Sequence, residues 1–188
     1  HIEKEKLLHN LLFRQHSGDT FNSNLWILNE DFIHYQGVSE CKLRDVEING
    51  EKFLREDLTE AEISKLNAYN HDQLGKRTDI LLFPQEHKCI IVELKSTEAD
   101  VSKFLHQIID YAGLIRQYAK LKFEITNFYG YLIGENFDFD TVINAEPNFI
   151  QSPNLDYVYL PDQSVNGGKY RPKGTLYFEV LKYSSLLD

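Results

Sequence analysis

Residues 77–96 read RTDILLFPQEHKCIIVELKS. Two apolar runs, ILLF and CIIV, flank the polar break PQEH, which is the pattern of a β-hairpin in a buried sheet. Each run ends in charge: Asp79 precedes the first, and Glu93 and Lys95 close the second. Whatever fold the chain adopts must therefore place two carboxylates and an amine where two core strands meet again.

Pairing Phe83 with Cys89 across the loop 84–88 sets Asp79 directly opposite Glu93. Opposed residues share a face, and the strand period of two puts Lys95 on that face as well. A one-residue slip would send the two acids to opposite faces; we adopt the first register. Opposed like charges destabilise a sheet unless something neutralises them. Lys95 does so in part, and a divalent cation would do more. Magnesium takes carboxylate and carbonyl oxygens and keeps several waters, so paired acids at a strand end form half of a site for it. Such a metal beside a lysine is the equipment for hydrolysing a phosphodiester. The D…E-x-K spacing alone fits a solvated salt bridge at the sheet rim somewhat better, because the pattern is common.

The next segment adds to this. Asp100 is the expected N-cap of a helix running to about Leu121, with the apolar stripe Val101, Phe104, Leu105, Ile108, Ala112, Ile115 and Ala119. Gln107 and Tyr111 lie one turn apart and off that stripe, able to face the strand end that carries Lys95. Taken singly, each reads as a solvated helix residue.

Around this centre the chain alternates simply. Residues 2–16 form an amphipathic helix, and Trp26 within 21–32 is expected to dock on the core. Residues 42–58 read as irregular, and T-x-x-E at Thr59–Glu62 is a capping box opening a short helix over 60–68. Phe128–Gly134, Tyr157–Leu160 and Thr175–Tyr183 are strands, with 135–154 a loop containing Pro147 and Pro153. The resulting order predicts one α/β domain with a mixed central β-sheet flanked by helices.

Composition limits the alternatives. At 188 residues the chain suits one domain, and 42% hydrophobic content is globular. No apolar run approaches the roughly 20 residues of a membrane span, and no secretory leader opens the chain. These features predict a cytoplasmic protein that does not engage a membrane. The opening HIEKEKLL lacks an initiator methionine and reads as a part excised from a longer protein. Two cysteines, Cys41 and Cys89, make neither a disulfide framework nor a cysteine zinc site. Cys89 reads as a small buried hydrophobe. The net charge of −9 speaks against a general nucleic-acid coat. That charge is uneven, however. Residues 76–124 hold eight basic and seven acidic side chains, a net +1 that leaves −10 to the flanks, and KYRPK at 169–173 is a second basic island. No P-loop and no H-E-x-x-H occurs, and none of the seven scattered histidines is taken as a metal ligand.

Arg77-Thr78-Asp79, Glu93-Leu94-Lys95 and Gln107-x-x-x-Tyr111 together resemble the PD-(D/E)XK nuclease superfamily over about residues 77–134, following its β–β–α–β core. Thr78 stands where the motif's name has proline. A narrower resemblance adds LWILNEDFIHYQGVSE (25–40) and YFEVLKYSSLLD (177–188). It is to a nuclease-like domain at the C-terminus of some bacterial histidine-kinase-like (GHKL-type) ATPases. The resemblance implies a restriction-endonuclease-like core in which Asp79, Glu93 and the Leu94 carbonyl hold Mg²⁺ or Mn²⁺. Lys95 would position water, and Gln107 and Tyr111 would support the site. The further acid that the superfamily often draws from an N-terminal helix would be Glu40, with Glu5 behind it. Arg77, Lys103 and Tyr118 would meet nucleic acid. The implied activity is a prokaryotic defence endonuclease acting on DNA, with RNA also admissible, alongside an ATPase region and as a possible homodimer. Two other readings stay open: a nuclease-fold module that holds nucleic acid without cutting, and a protein-interaction domain regulating an attached ATPase.

Overall fold

A computed structural model of the chain describes residues 2–18, 23–24, 36–71, 78–83, 87–169 and 171–187. Trp26 and Arg77 lie outside the described residues, as does the hairpin tip 84–86.

Helix α1 (Ile2–Leu12) precedes strand β1 (Gln36–Cys41), a two-stranded ribbon β2 (Glu47–Ile48) and β3 (Glu51–Lys52), and helix α2 (Glu60–His71). The hairpin strands β4 (Thr78–Phe83) and β5 (Lys88–Leu94) follow, then helix α3 (Leu105–Tyr118) and strand β6 (Asn127–Gly134). Helix α4 (Phe139–Ala145), β7 (Ile150–Gln151), β8 (Tyr157–Val165), β9 (Gly174–Lys182) and α5 (Tyr183–Leu187) complete the chain. Seven strands form one mixed sheet in the order β1-β4-β5-β6-β9-β8-β7, with β5, β6 and β9 mutually parallel. The protein is thus α/β, with helices on a mixed central sheet.

The hairpin pairs Ile80 with Val92 and Leu82 with Ile90, the register adopted from the sequence. It divides the apolar residues of the two strands between two cores. Leu81, Phe83, Cys89 and Ile91 join α3 residues such as Ile108 and Ile115 on one face. Ile80, Ile90, Val92 and Leu94 join Leu12 and Phe13, at and just beyond the end of α1, on the other. Because β5 is covered on both faces, its central residues Cys89–Val92 form a continuous apolar run rather than alternating. Cys89 is fully buried, and desolvation pushes its thiol far up, as befits an inert core residue.

Several expectations need correction. The segment after Asp100 opens with a 3-10 turn (Val101–Phe104), which Asp100 caps by accepting from the Ser102 amide at 3.2 Å. The helix stops at Tyr118, not Leu121, because Ala119 turns extended and bridges to Leu54. The 42–58 stretch contains the β2–β3 ribbon, and β8 runs on past Leu160 to Val165 through an irregularity around Pro161. Residues 135–154 contain α4, capped by Asp138, which accepts from the Thr141 amide at 2.7 Å. The Thr59–Glu62 capping box does form, with the Thr59 amide donating to Glu62 at 2.8 Å. Among the described residues no helix is long and apolar enough to cross a membrane.

Gly130 is what lets α3 lie close on the sheet. A Cβ there would come within 2.5 Å of Ile108 Cγ2, in a core where Ile108 is wholly buried. Gly130→Ala is therefore expected to destabilise the protein by about 1–3 kcal/mol, read as a lowered urea midpoint at unchanged slope. On the opposite face, Tyr177 O–H donates to Glu179 at 2.7 Å, and burial raises the Glu179 carboxyl above its usual range. A raised carboxyl stabilises the fold below about pH 4, and that contribution is lost as pH climbs through the folded value. Glu179→Gln should accordingly melt higher than the parent at pH 7 and equal it near pH 4, in paired thermal scans.

Candidate functional site

The register of three neighbouring strands brings the acids together. Ile80 pairs with Ser39 on one side and Val92 on the other, so the next rung carries Glu40 on β1, Asp79 on β4 and Glu93 on β5. The ladder opens at this rung, and the Asp79 carboxylate takes the Leu94 amide at 2.6 Å. Glu40 holds a left-handed φ of +49°, which costs a non-glycine residue on the order of 1 kcal/mol and is kept because its surroundings demand it.

Those surroundings come from α1 and the turn after it. Gln15 donates to Glu40 Oε1, His16 Nε2 lies 3.2 Å from Glu40 Oε2, and the His16 amide donates to Ser39 Oγ. His9, buried on α1, places Nδ1 2.8 Å from the Phe13 carbonyl and Nε2 2.9 Å from the Asp79 carbonyl. A neutral imidazole has one N–H to give. Both partners are carbonyls, which only accept, so the single N–H serves one of them, and Nε2 would give up its contact with the Asp79 carbonyl to act as a metal ligand. Donor atoms of His9, Glu40 and Asp79 all lie within 4.8 Å of one another, the one such group of three among the described residues.

Glu93 turns to its neighbours on the α3 side. Lys95 Nζ donates to Glu93 Oε1 at 2.6 Å and to Gln107 Oε1 at 3.2 Å, and Gln107 Nε2 donates to the same Glu93 oxygen. The ammonium also lies 4.4 Å from the centre of the Phe104 ring. The Glu93 and Lys95 side chains are only 4% and 11% exposed. Glu93 Oε2 is buried and has no hydrogen-bond partner among the described residues. An ammonium has three protons; two are used here and one remains.

The structure thus joins Asp79, Glu93, Lys95 and Gln107 at one sheet end, with the Leu94 backbone beside them. It corrects other placements. Gln107 and Tyr111 are buried on the inner side of α3, not off its apolar face; Tyr111 lies in the main core one turn past Gln107. Glu40 comes from edge strand β1 and not from a helix, while α1 contributes His9 instead; the Glu5 side chain is outside the described part. Lys103 is exposed and paired to Asp100 at 3.2 Å. Tyr118 is buried beneath Arg55, and burial raises its phenol; it stands about 16 Å along α3 from Gln107, too far and too covered to stack on a base at this site. His9 was missed because one histidine on an amphipathic helix carries no spacing signal; only its position one turn before Phe13, on the face that docks, could have marked it.

No family model, no curated protein and no solved structure matches this chain.

Removing one member of a buried ion pair leaves the other uncompensated. Lys95→Ala is expected to cost about 3–5 kcal/mol, whereas Glu93→Gln/Lys95→Met together should cost less than the sum of the two single changes. A double-mutant cycle in urea measures both.

Proposed function

We propose that this chain is a divalent-metal-dependent endonuclease that hydrolyses DNA phosphodiester bonds on a PD-(D/E)XK-type core. Supporting this are α1, the three neighbouring strands β1, β4 and β5, the crossover α3 and the parallel strand β6, with the D…E-x-K residues at the end of β5. One observation carries the reading: a buried lysine–glutamate–glutamine cluster leaves a carboxylate oxygen unpartnered beside a second cluster of donors. Burying an ion pair costs several kcal/mol of desolvation per ion, and an orphaned oxygen adds to that, so stability does not account for the arrangement.

The donors suit a divalent cation. Asp79, Glu40 and His9 Nε2 would hold it, with Glu93 Oε2 and the Leu94 carbonyl next along the rung. Such an ion lowers the pKa of a bound water and offsets phosphate charge. One imidazole among oxygens departs from the all-oxygen set preferred by Mg²⁺, so Mn²⁺ belongs in the test. Lys95 would give its remaining proton to the water or the developing oxyanion. Gln107 keeps Lys95 and Glu93 in register. Lys103, exposed one turn before Gln107 and paired with Asp100, would exchange that acid for a backbone phosphate. The role we infer is a cytoplasmic, prokaryotic restriction-type effector working with an ATPase region. The net charge of −9 favours a second reading, a regulatory module with a basic protein partner.

The test is incubation with supercoiled plasmid at low salt in Mg²⁺, Mn²⁺ or EDTA. Metal-dependent cutting should fall by about 10²–10³-fold in Lys95→Gln and vanish in Asp79→Asn, both checked for folding by circular dichroism. Cutting that persists in the folded variants removes the site assignment. Absence of both cutting and calorimetric Mn²⁺ binding leaves the regulatory reading.

A further inference from the structure

The far end of α3 holds a cluster of opposite sign. Arg116, in the last turn, is 5% exposed, and its Nε donates to the Pro172 carbonyl at 3.1 Å. Arg171, from the basic island 169–173, donates from Nη1 to the Arg116 carbonyl at 3.0 Å and from Nη2 to the Ala119 carbonyl at 2.6 Å. Each arginine thus fixes the backbone next to the other, which tightens the turn before β9 onto the helix end.

Both guanidiniums line a cavity of about 520 Å³, together with His87, Glu124, Thr126 and Pro172. Among the described residues neither arginine has a carboxylate partner, and the Arg116 Nη groups make no hydrogen bond. The one acid on the wall, Glu124, lies 3.7 Å from His87 and is 69% exposed. Desolvation disfavours the charge on both guanidiniums, and Arg116 further disfavours that on Arg171. The α3 C-terminus offers about half an elementary negative charge, against two full positive ones. Capping the helix explains where Arg171 points, and with the Glu124 carboxylate counted about half a positive charge still remains unbalanced at the cavity wall.

We propose that this cavity is a second anion site, taking the phosphate group of a small phosphorylated molecule. Guanidinium forks match phosphate oxygens two at a time, and Arg116 has the free donors to do so. The volume lies in the range of small-ligand pockets. The net charge of −9 favours a single small molecule over a nucleic-acid strand, which needs a long basic track. The site stands about 13 Å along α3 from Gln107 and at the opposite ends of the parallel strands from Glu93. It is separate from the proposed phosphodiester site and does not depend on that reading.

The experiment is calorimetry and phosphorus NMR of the 188-residue chain in EDTA, which silences any metal-dependent phosphate binding. The probes are inorganic phosphate, adenosine 5′-monophosphate, adenosine and a 5′-phosphorylated oligonucleotide. The expected result is saturable binding of the monophosphate, competition by inorganic phosphate and none by adenosine. Tighter binding of the monophosphate identifies a nucleotide source, and equal binding identifies free phosphate. Arg116→Gln should weaken binding by about tenfold or more. Glu124→Gln, on an exposed residue that leaves the fold intact, should tighten it by about 2–5-fold. Four results overturn the proposal: no saturable phosphate or monophosphate binding up to about 10 mM, adenosine binding as well as its monophosphate, binding of the oligonucleotide alone, or unchanged affinity in Glu124→Gln. The last decides the matter if Arg116→Gln fails to fold.

Discussion

The pairing of Ile80 with Val92 does two jobs at once. It sends Leu81 and Ile91 to the α3 core and Ile80, Ile90 and Val92 to the α1 core, so both faces of the sheet close over apolar side chains. It also sets Asp79 across from Glu93, and through Ser39 opposite Ile80 it extends the acidic rung to Glu40. With both faces covered, a one-residue slip of β5 would turn Glu93 into the α1 core and mismatch the packing on each side, so the energy that packs the two cores also holds the carboxylates in line. The charged rung costs stability, and the two cores impose it.

Helix α3 connects the two polar centres of the molecule. Its first turns bring Gln107 over the end of β5, where it is bonded to both members of the Glu93–Lys95 pair. Its last turn carries Arg116 to the other end of the sheet, against the turn that precedes β9. The close seat that Gly130 allows to Ile108 sets how near the sheet both placements lie. One end thus gathers carboxylates with a single buried ammonium, and the other gathers guanidiniums with one exposed carboxylate. Each imbalance lies in a partly desolvated setting where a counter-ion is worth far more than at the surface.

Much of this was legible beforehand wherever signals were local. The ILLF and CIIV runs, the FYGYLIG strand, the Thr59–Glu62 box and the Asp100 cap all reported themselves through neighbours a few residues away. β1 did not, because QGVSEC is an edge strand with one β-branched residue and a glycine. α4 was hidden in a stretch that runs into Pro147 and Pro153, although Asp138 and Thr141 carried its cap. Tyr118 was misjudged because helical spacing places it on a face but does not say that Arg55 will cover it.

From the sequence alone came the hairpin, its register, and the D…E-x-K and Gln107 positions, because strand and helix periods are properties of adjacent residues. Only the tertiary structure decided that His9 and Glu40 stand with Asp79, that Glu93 turns to Lys95 and leaves one oxygen orphaned, and that Arg116 meets Arg171. Apart from Glu93 and Lys95, neighbours on one strand, these contacts join residues dozens of positions apart. No local period encodes them; they follow from which faces the packed cores bring together.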